Sequence, residues 1–130
     1  MWERPLLFEL IRNRKWNDAM ERIKHHPYEV KMRDTYGNTP IGLACCRYPP
    51  LELVSKMLEI SSQAVSIKTC DGWTPLHYAC IYSDAEVVRR ILEANTDAIW
   101  KRNKRNQTPL DYLCWFHNDH IIGALRELSN

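Results

Sequence analysis

The dipeptide Thr-Pro occurs three times at a near-constant interval, as Thr39-Pro40, Thr74-Pro75 and Thr108-Pro109, separated by 35 and 34 residues. Two other marks keep the same step. Val30, Val65 and Ile99 recur at it, and Cys45, Cys80 and Cys114 each lie six residues after the Thr of their own set. A period in the mid-thirties constrains the fold more than any other property of this chain. It implies copies of one supersecondary unit that cannot bury its apolar face alone and does so by stacking on its neighbours.

Each unit reads as two short helices. Thr is a good N-cap because its hydroxyl accepts a hydrogen bond from a backbone N–H that the helix leaves unpaired. Pro fits the first helical position, where no N–H is needed. The first helices are therefore expected at about 39–47, 74–82 and 108–116. The second helices are expected in "PPLELVSKMLEI", "DAEVVRRILEA" and "NDHIIGALREL". In the middle one, Val87, Val88, Ile91 and Leu92 mark one apolar face at helical spacing. Asp84 and Asn118 are its expected caps in two units, and Pro49-Pro50 start the helix in the other. Ahead of each Thr-Pro pair, Gly37, Gly72 and Asn106 occupy one register position, where a left-handed turn explains all three. Upstream, "ERPLLFELIRNRKWNDAMERIKHHPYEV" has the helix pair without the Thr-Pro mark, as expected of an atypical end unit.

These residues carry a resemblance. "DGWTPLHYAC" followed by "DAEVVRRILEA" resembles the ankyrin repeat, whose mark is T-P-L-H-x-A at about 33 residues. "GNTPIGLACC" and "NQTPLDYLCW" are looser copies, with Gly42 and Asp111 in place of the histidine. Tyr48, Ser83 and His117 stand where the family often has Gly. The resemblance covers residues 34 to 130 and, by register, extends back to about residue 4. It implies an all-α ankyrin-repeat solenoid of paired antiparallel helices with short β-hairpin or turn fingers. One domain over 1–130 is expected, divided into an N-terminal capping unit (1–33), repeats at 34–68 and 69–102, and a C-terminal capping repeat (103–130). It further implies that His77 braces the turn by hydrogen bonding near the Thr-Pro pair.

Bulk properties agree with this class. The formal charge is +2, with 45% apolar and 26% charged residues, which is ordinary for a globular domain. No apolar run approaches the about 18 residues needed to span a bilayer, and Glu3 and Arg4 interrupt the N-terminus where a secretory signal would be apolar. Five cysteines, an odd number, point to reduced thiols. An intracellular protein, cytoplasmic or nuclear and monomeric, is expected. The polar end of "HIIGALRELSN" favours a natural cap.

Three groupings invite a chemical reading. His77 and Cys80 lie three apart, but a pair is half a zinc site. Cys80 also shares a register position with Cys45 and Cys114, which reads as a small, core-facing residue. Cys114, His117 and His120 form the best metal-like string. It crosses the turn between two helices, so the three side chains diverge. His25-His26 fits a helix C-terminus, where the dipole favours histidine. There is no G-x-S-x-G nucleophile turn and no phosphate loop. No enzyme activity, cofactor or metal is expected.

The resemblance implies that finger tips and the exposed side of each first helix contact a protein partner. By register these positions are Arg33, Tyr36, Asn38 and Arg47 in one unit. The next unit supplies Lys68, Asp71, Trp73, Ile81 and Tyr82, and the last supplies Arg102, Lys104, Arg105, Gln107, Trp115 and Phe116, with Thr35, Cys46 and Cys70 in the same row. Aromatic residues and arginine are the usual hot spots of interfaces. Trp73 is expected at a finger tip with no structural duty. "WKRNKRNQ", residues 100–107, places Lys101, Arg102, Lys104 and Arg105 within five positions. It reads as a solvated tip, a contact for an acidic partner or import factor, or, with Trp100 and Trp115 near in sequence, a contact for RNA.

Overall fold

The computed structural model describes residues 6–116. The chain forms α1 (Leu6–Arg12), α2 (Trp16–His25), α3 (Pro40–Cys45), α4 (Leu51–Ile60), α5 (Pro75–Tyr82), α6 (Ala85–Ala94) and α7 (Pro109–Phe116). No strand occurs among the described residues. Helices α1, α3, α5 and α7 stack in one row and α2, α4 and α6 in a second. The segment "NDHIIGALREL", with Asn118, lies outside the described residues.

The Thr-Pro pairs start α3, α5 and α7. Thr39 Oγ1 accepts from Gly42 N–H at 3.1 Å, Thr74 Oγ1 from His77 N–H at 3.4 Å and Thr108 Oγ1 from Asp111 N–H at 3.2 Å. Asp84 caps α6 by accepting from Val87 N–H at 3.0 Å. Helix α3 ends earlier than the sequence pattern predicts. Its chain turns left-handed at Tyr48 (φ 58°) and meets two prolines, and Pro50 is the extended residue before α4 rather than its first. Ser83, at the matching position, needs no left-handed turn and donates from its hydroxyl to the Cys45 carbonyl at 3.0 Å.

A feature absent from the sequence-based expectation accounts for the Val30, Val65 and Ile99 mark. A five-residue 3-10 turn follows each second helix, at Pro27–Lys31, Ser62–Ser66 and Thr96–Trp100. The marked residue is buried in each. With Val87, Val88, Ile91 and Leu92 of α6, these side chains belong to one core that runs along the stack. The cysteine register departs from expectation. Cys45 and Cys80 are buried, but Cys114 is exposed. Helices α3 and α5 each have a neighbour on both sides in their row, whereas among the described residues α7 has a row neighbour, α5, on one side only.

Helix α1 lacks a Thr-Pro start, and Glu29 supplies a substitute. From the 3-10 turn of its own unit, this buried carboxylate accepts from Leu7 N–H at 3.2 Å. Its other oxygen pairs with the Arg22 guanidinium at 2.7 and 2.8 Å. Ala64 and Ala98 stand at this position in the next two units, whose helices carry their own caps.

The fingers are tight turns. In the first, Gly37 N–H donates to Asp34 O at 3.0 Å and Asp34 N–H to Asn38 O at 2.9 Å, with Gly37 at φ 82°. Thr69–Trp73 and Asn103–Gln107 repeat the pattern, with Gly72 at φ 80° and Asn106 at φ 62°. This is a type I turn closed by a left-handed residue. Asp34, Thr69 and Asn103 open these turns, and each side chain accepts backbone N–H bonds across its own loop. Cys70 N–H donates to Tyr36 O and Lys104 N–H to Asp71 O, joining each finger to the next.

Candidate partner-binding site

The second and third fingers fold back over α5 and α7, which turns residue 73 towards the helices. The Trp73 ring stacks between Tyr78 (centroids 5.0 Å, interplanar angle 24°) and Tyr112 (4.9 Å, 30°), and lies 5.5 Å from the His77 ring. The expectation that Trp73 has no structural duty is therefore corrected. Trp115 meets Tyr112 edge-on at 5.5 Å, and Phe116 lies nearly parallel to it at 6.5 Å. The Tyr112 hydroxyl donates to Gln107 Oε1 and accepts from Asn103 Nδ2 at 3.0 Å, which ties this aromatic column to the third finger.

His77 links the same elements. Thr74 N–H donates to its Nδ1 at 3.0 Å, so Nδ1 is an acceptor and the proton sits on Nε2. Nε2–H then donates to the Gln107 carbonyl at 2.9 Å, thirty residues along the chain. Burial lowers the His77 pKa, and the positive charge of Lys68 acts in the same direction, against the Gln107 carbonyl, which favours the charged ring. Both ring nitrogens are committed to these bonds. Burial also drives the Cys80 thiol far up, so the pair is no thiolate–imidazole couple. Among the described residues, no three His, Cys, Asp or Glu side chains gather as metal ligands would. His117 and His120 lie outside those residues. Asp111, in the histidine register position of α7, keeps half of the arrangement, since its Oδ2 accepts from Thr108 N–H at 2.9 Å.

The register-matched contact positions divide into two groups. Arg33 spends its guanidinium on the Gly37 and Lys68 carbonyls, Lys68 donates to the Arg102 carbonyl, and Arg102 donates to the Asn106 carbonyl. Asn38 bonds to Asp34 within its own loop, and Gln107 serves Tyr112 and His77. Ile81 packs against the core. These side chains build the fingers and their seams. Arg47, Asp71, Lys104 and Arg105 are exposed, with no side-chain bond of this kind among the described residues. So are four aromatic residues: Tyr36 (68% exposed), Tyr82 (50%), Trp115 (59%) and Phe116 (59%). A recess of about 410 Å3 lies between the second and third fingers, lined by Asp71, Trp73, Tyr78, Tyr82, Lys104 and Arg105. Sequence reasoning missed Tyr78, Tyr112 and Glu29. Tyr78 and Tyr112 share a step of 34 residues, which the register would have shown. Glu29 had no signal, because its partners come together only in the fold.

A family model described as ankyrin repeats (3 copies) matches residues 7–98 and again 43–129. The chain belongs to the ankyrin-repeat family. No curated protein matches it. Ankyrin repeats are generally protein–protein interaction modules rather than enzymes. No helix among the described residues is long and apolar enough to cross a membrane. In this ankyrin domain α5, α7 and the second and third fingers hold the aromatic column, and the recess sits between the turns of two repeats and α5.

Proposed function

We propose that this ankyrin domain binds a protein partner through the face formed by its fingers and the α3–α5–α7 side. The carrying observation is the exposure of Tyr36, Tyr82, Trp115 and Phe116 on the fingers and this helix row, with Tyr82 lining the recess, while the core is filled mainly by aliphatic side chains and cysteine. Large exposed aromatics lose little conformational entropy on docking and supply much of the contact energy of interfaces. Arg47, Asp71, Lys104 and Arg105 provide polar contacts at the rim. The capping unit 1–33, the repeats 34–68 and 69–102, and the capping repeat 103–130 together form the binding body.

Capture of partners from cell extract by Tyr82→Ala, Trp115→Ala and Phe116→Ala variants tests the reading, with folding checked by circular dichroism. Loss of the same captured protein from each variant is expected. Unchanged capture by all three refutes the site. A second reading, association of the basic finger at residues 100–107 with RNA, draws on its four exposed cations. Filter binding of single-stranded RNA across a salt series tests it, and retention that is absent at low salt removes it.

A further inference from the structure

The chain as a whole is only slightly basic, but its charges are sorted. On the α-helices, all but one of the described Lys and Arg residues have carboxylate partners: Arg12 with Glu9, Arg22 with Glu29, Lys24 with Glu21, Lys56 with Glu59 and Arg89 with Glu93, with Arg90 of α6 the exception. On the fingers, Arg33, Lys68, Lys101, Arg102, Lys104 and Arg105 have no carboxylate at ion-pairing distance among the described residues. Three of the six, Arg33, Lys68 and Arg102, are held in place by donating to backbone carbonyls. Those bonds position the charge without cancelling it. Of the finger carboxylates, Asp34 is turned into its own loop, where it accepts two backbone N–H bonds and lies 3.5 Å from Arg12. Asp71 is exposed.

The ridge therefore presents ordered positive charge beside an aromatic recess. We infer that the partner docks as a linear acidic segment with one aromatic or branched aliphatic side chain. That side chain enters the recess against Trp73, Tyr78 and Tyr82, while flanking carboxylates meet Lys104 and Arg105. This inference rests on the partner-binding face proposed above. Asp71, at the same recess, offers an acceptor to a peptide N–H of the segment. The recess volume of about 410 Å3 suits one large side chain with part of its backbone. Nucleic acid fits less well. Trp73 has both faces covered by Tyr78 and Tyr112, so it offers no free face on which a base could stack.

The test is selection from a random 12-residue peptide library displayed on phage, panned on the full chain at low salt. The expected result is enrichment of net-negative peptides around one aromatic or aliphatic residue. Their affinity should fall about tenfold in the Lys104→Glu/Arg105→Glu double variant, since each exposed pair contributes modestly and reversal turns attraction into repulsion. It should also fall several-fold between low and moderate salt. Enrichment of neutral or basic peptides that Tyr82→Ala abolishes would keep the binding face and overturn the acidic partner. Enrichment of nothing, or of peptides indifferent to both Tyr82→Ala and Trp115→Ala, overturns both. Displacement of the selected peptides by single-stranded oligouridine at equal concentration assigns the ridge to nucleic acid and likewise overturns the proposal.

Discussion

Replacing His77 tests how two repeats are joined. The buried ring accepts from Thr74 N–H at 3.0 Å within the start of its own helix and donates to the Gln107 carbonyl at 2.9 Å across the seam to the next repeat. His77→Ala leaves these two groups without partners, at about 1–3 kcal/mol for each that water does not reach, and opens a cavity beside Trp73. We expect a loss of about 3 kcal/mol, a large share of the total stability of a domain this size. His77→Asn should cost less, about 1–2 kcal/mol, because its carbonyl can accept from Thr74 N–H as Asp111 accepts from Thr108 N–H. Urea unfolding followed by circular dichroism and tryptophan fluorescence measures both.

The pH dependence adds a second readout. Burial lowers the folded-state pKa of His77 below the ordinary histidine value of about 6.5. A proton then binds the unfolded chain more readily than the folded one. The contribution of the ring is fully present above about pH 6.5 and is lost as pH falls towards and through the lower folded value. The stability gap between the native chain and His77→Asn should therefore shrink between pH 7.5 and 5, with the other histidines common to both. A His77→Ala cost under 1 kcal/mol, or a gap that stays constant over that range, would refute the reasoning.

Glu29→Ala should lower stability by about 2–3 kcal/mol in the same urea assay, because it removes the cap on Leu7 N–H and the partner of Arg22. Glu29→Gln, which keeps an acceptor, should recover about half. Gly72→Ala should cost about 2–3 kcal/mol, since its φ is 80° and an added Cβ would lie 3.1 Å from backbone atoms of Asn103 and Lys104. Asn106→Gly, which only relieves a left-handed residue, should be neutral or slightly stabilising. With a disulfide reagent at pH 8, the exposed Cys70 and Cys114 should react rapidly in the native state. Cys45, Cys46 and Cys80 should react only on unfolding, because burial raises their thiol pKa values, that of Cys46 to about 12.

The repeat architecture was legible because its marks are local. A Thr hydroxyl caps its own helix, Pro starts it, and Gly or Asn takes a left-handed turn whatever lies around it. The candidate site was less legible. Register put Arg33, Lys68, Arg102, Asn38 and Gln107 on the contact row; Asn38 and Arg102 bond within their own loops, and the bonds of Arg33, Lys68 and Gln107 to neighbouring repeats became visible only with the fingers side by side. Trp73 stood at a finger tip in the linear pattern, and the fold laid it between two tyrosines from different helices.

By itself, the sequence determined the unit: where helices start, which residues face the core of a repeat, and where the chain turns left-handed. These follow from forces acting over a few residues. Tertiary structure decided the seams between units. The bond from His77 to the third finger, the Glu29 cap on α1, the backbone packed against Gly72 and the exposure of Cys114 each depend on which surfaces meet. Residues thirty positions apart carry no local signal of that meeting, because its energy exists only once the repeats are stacked.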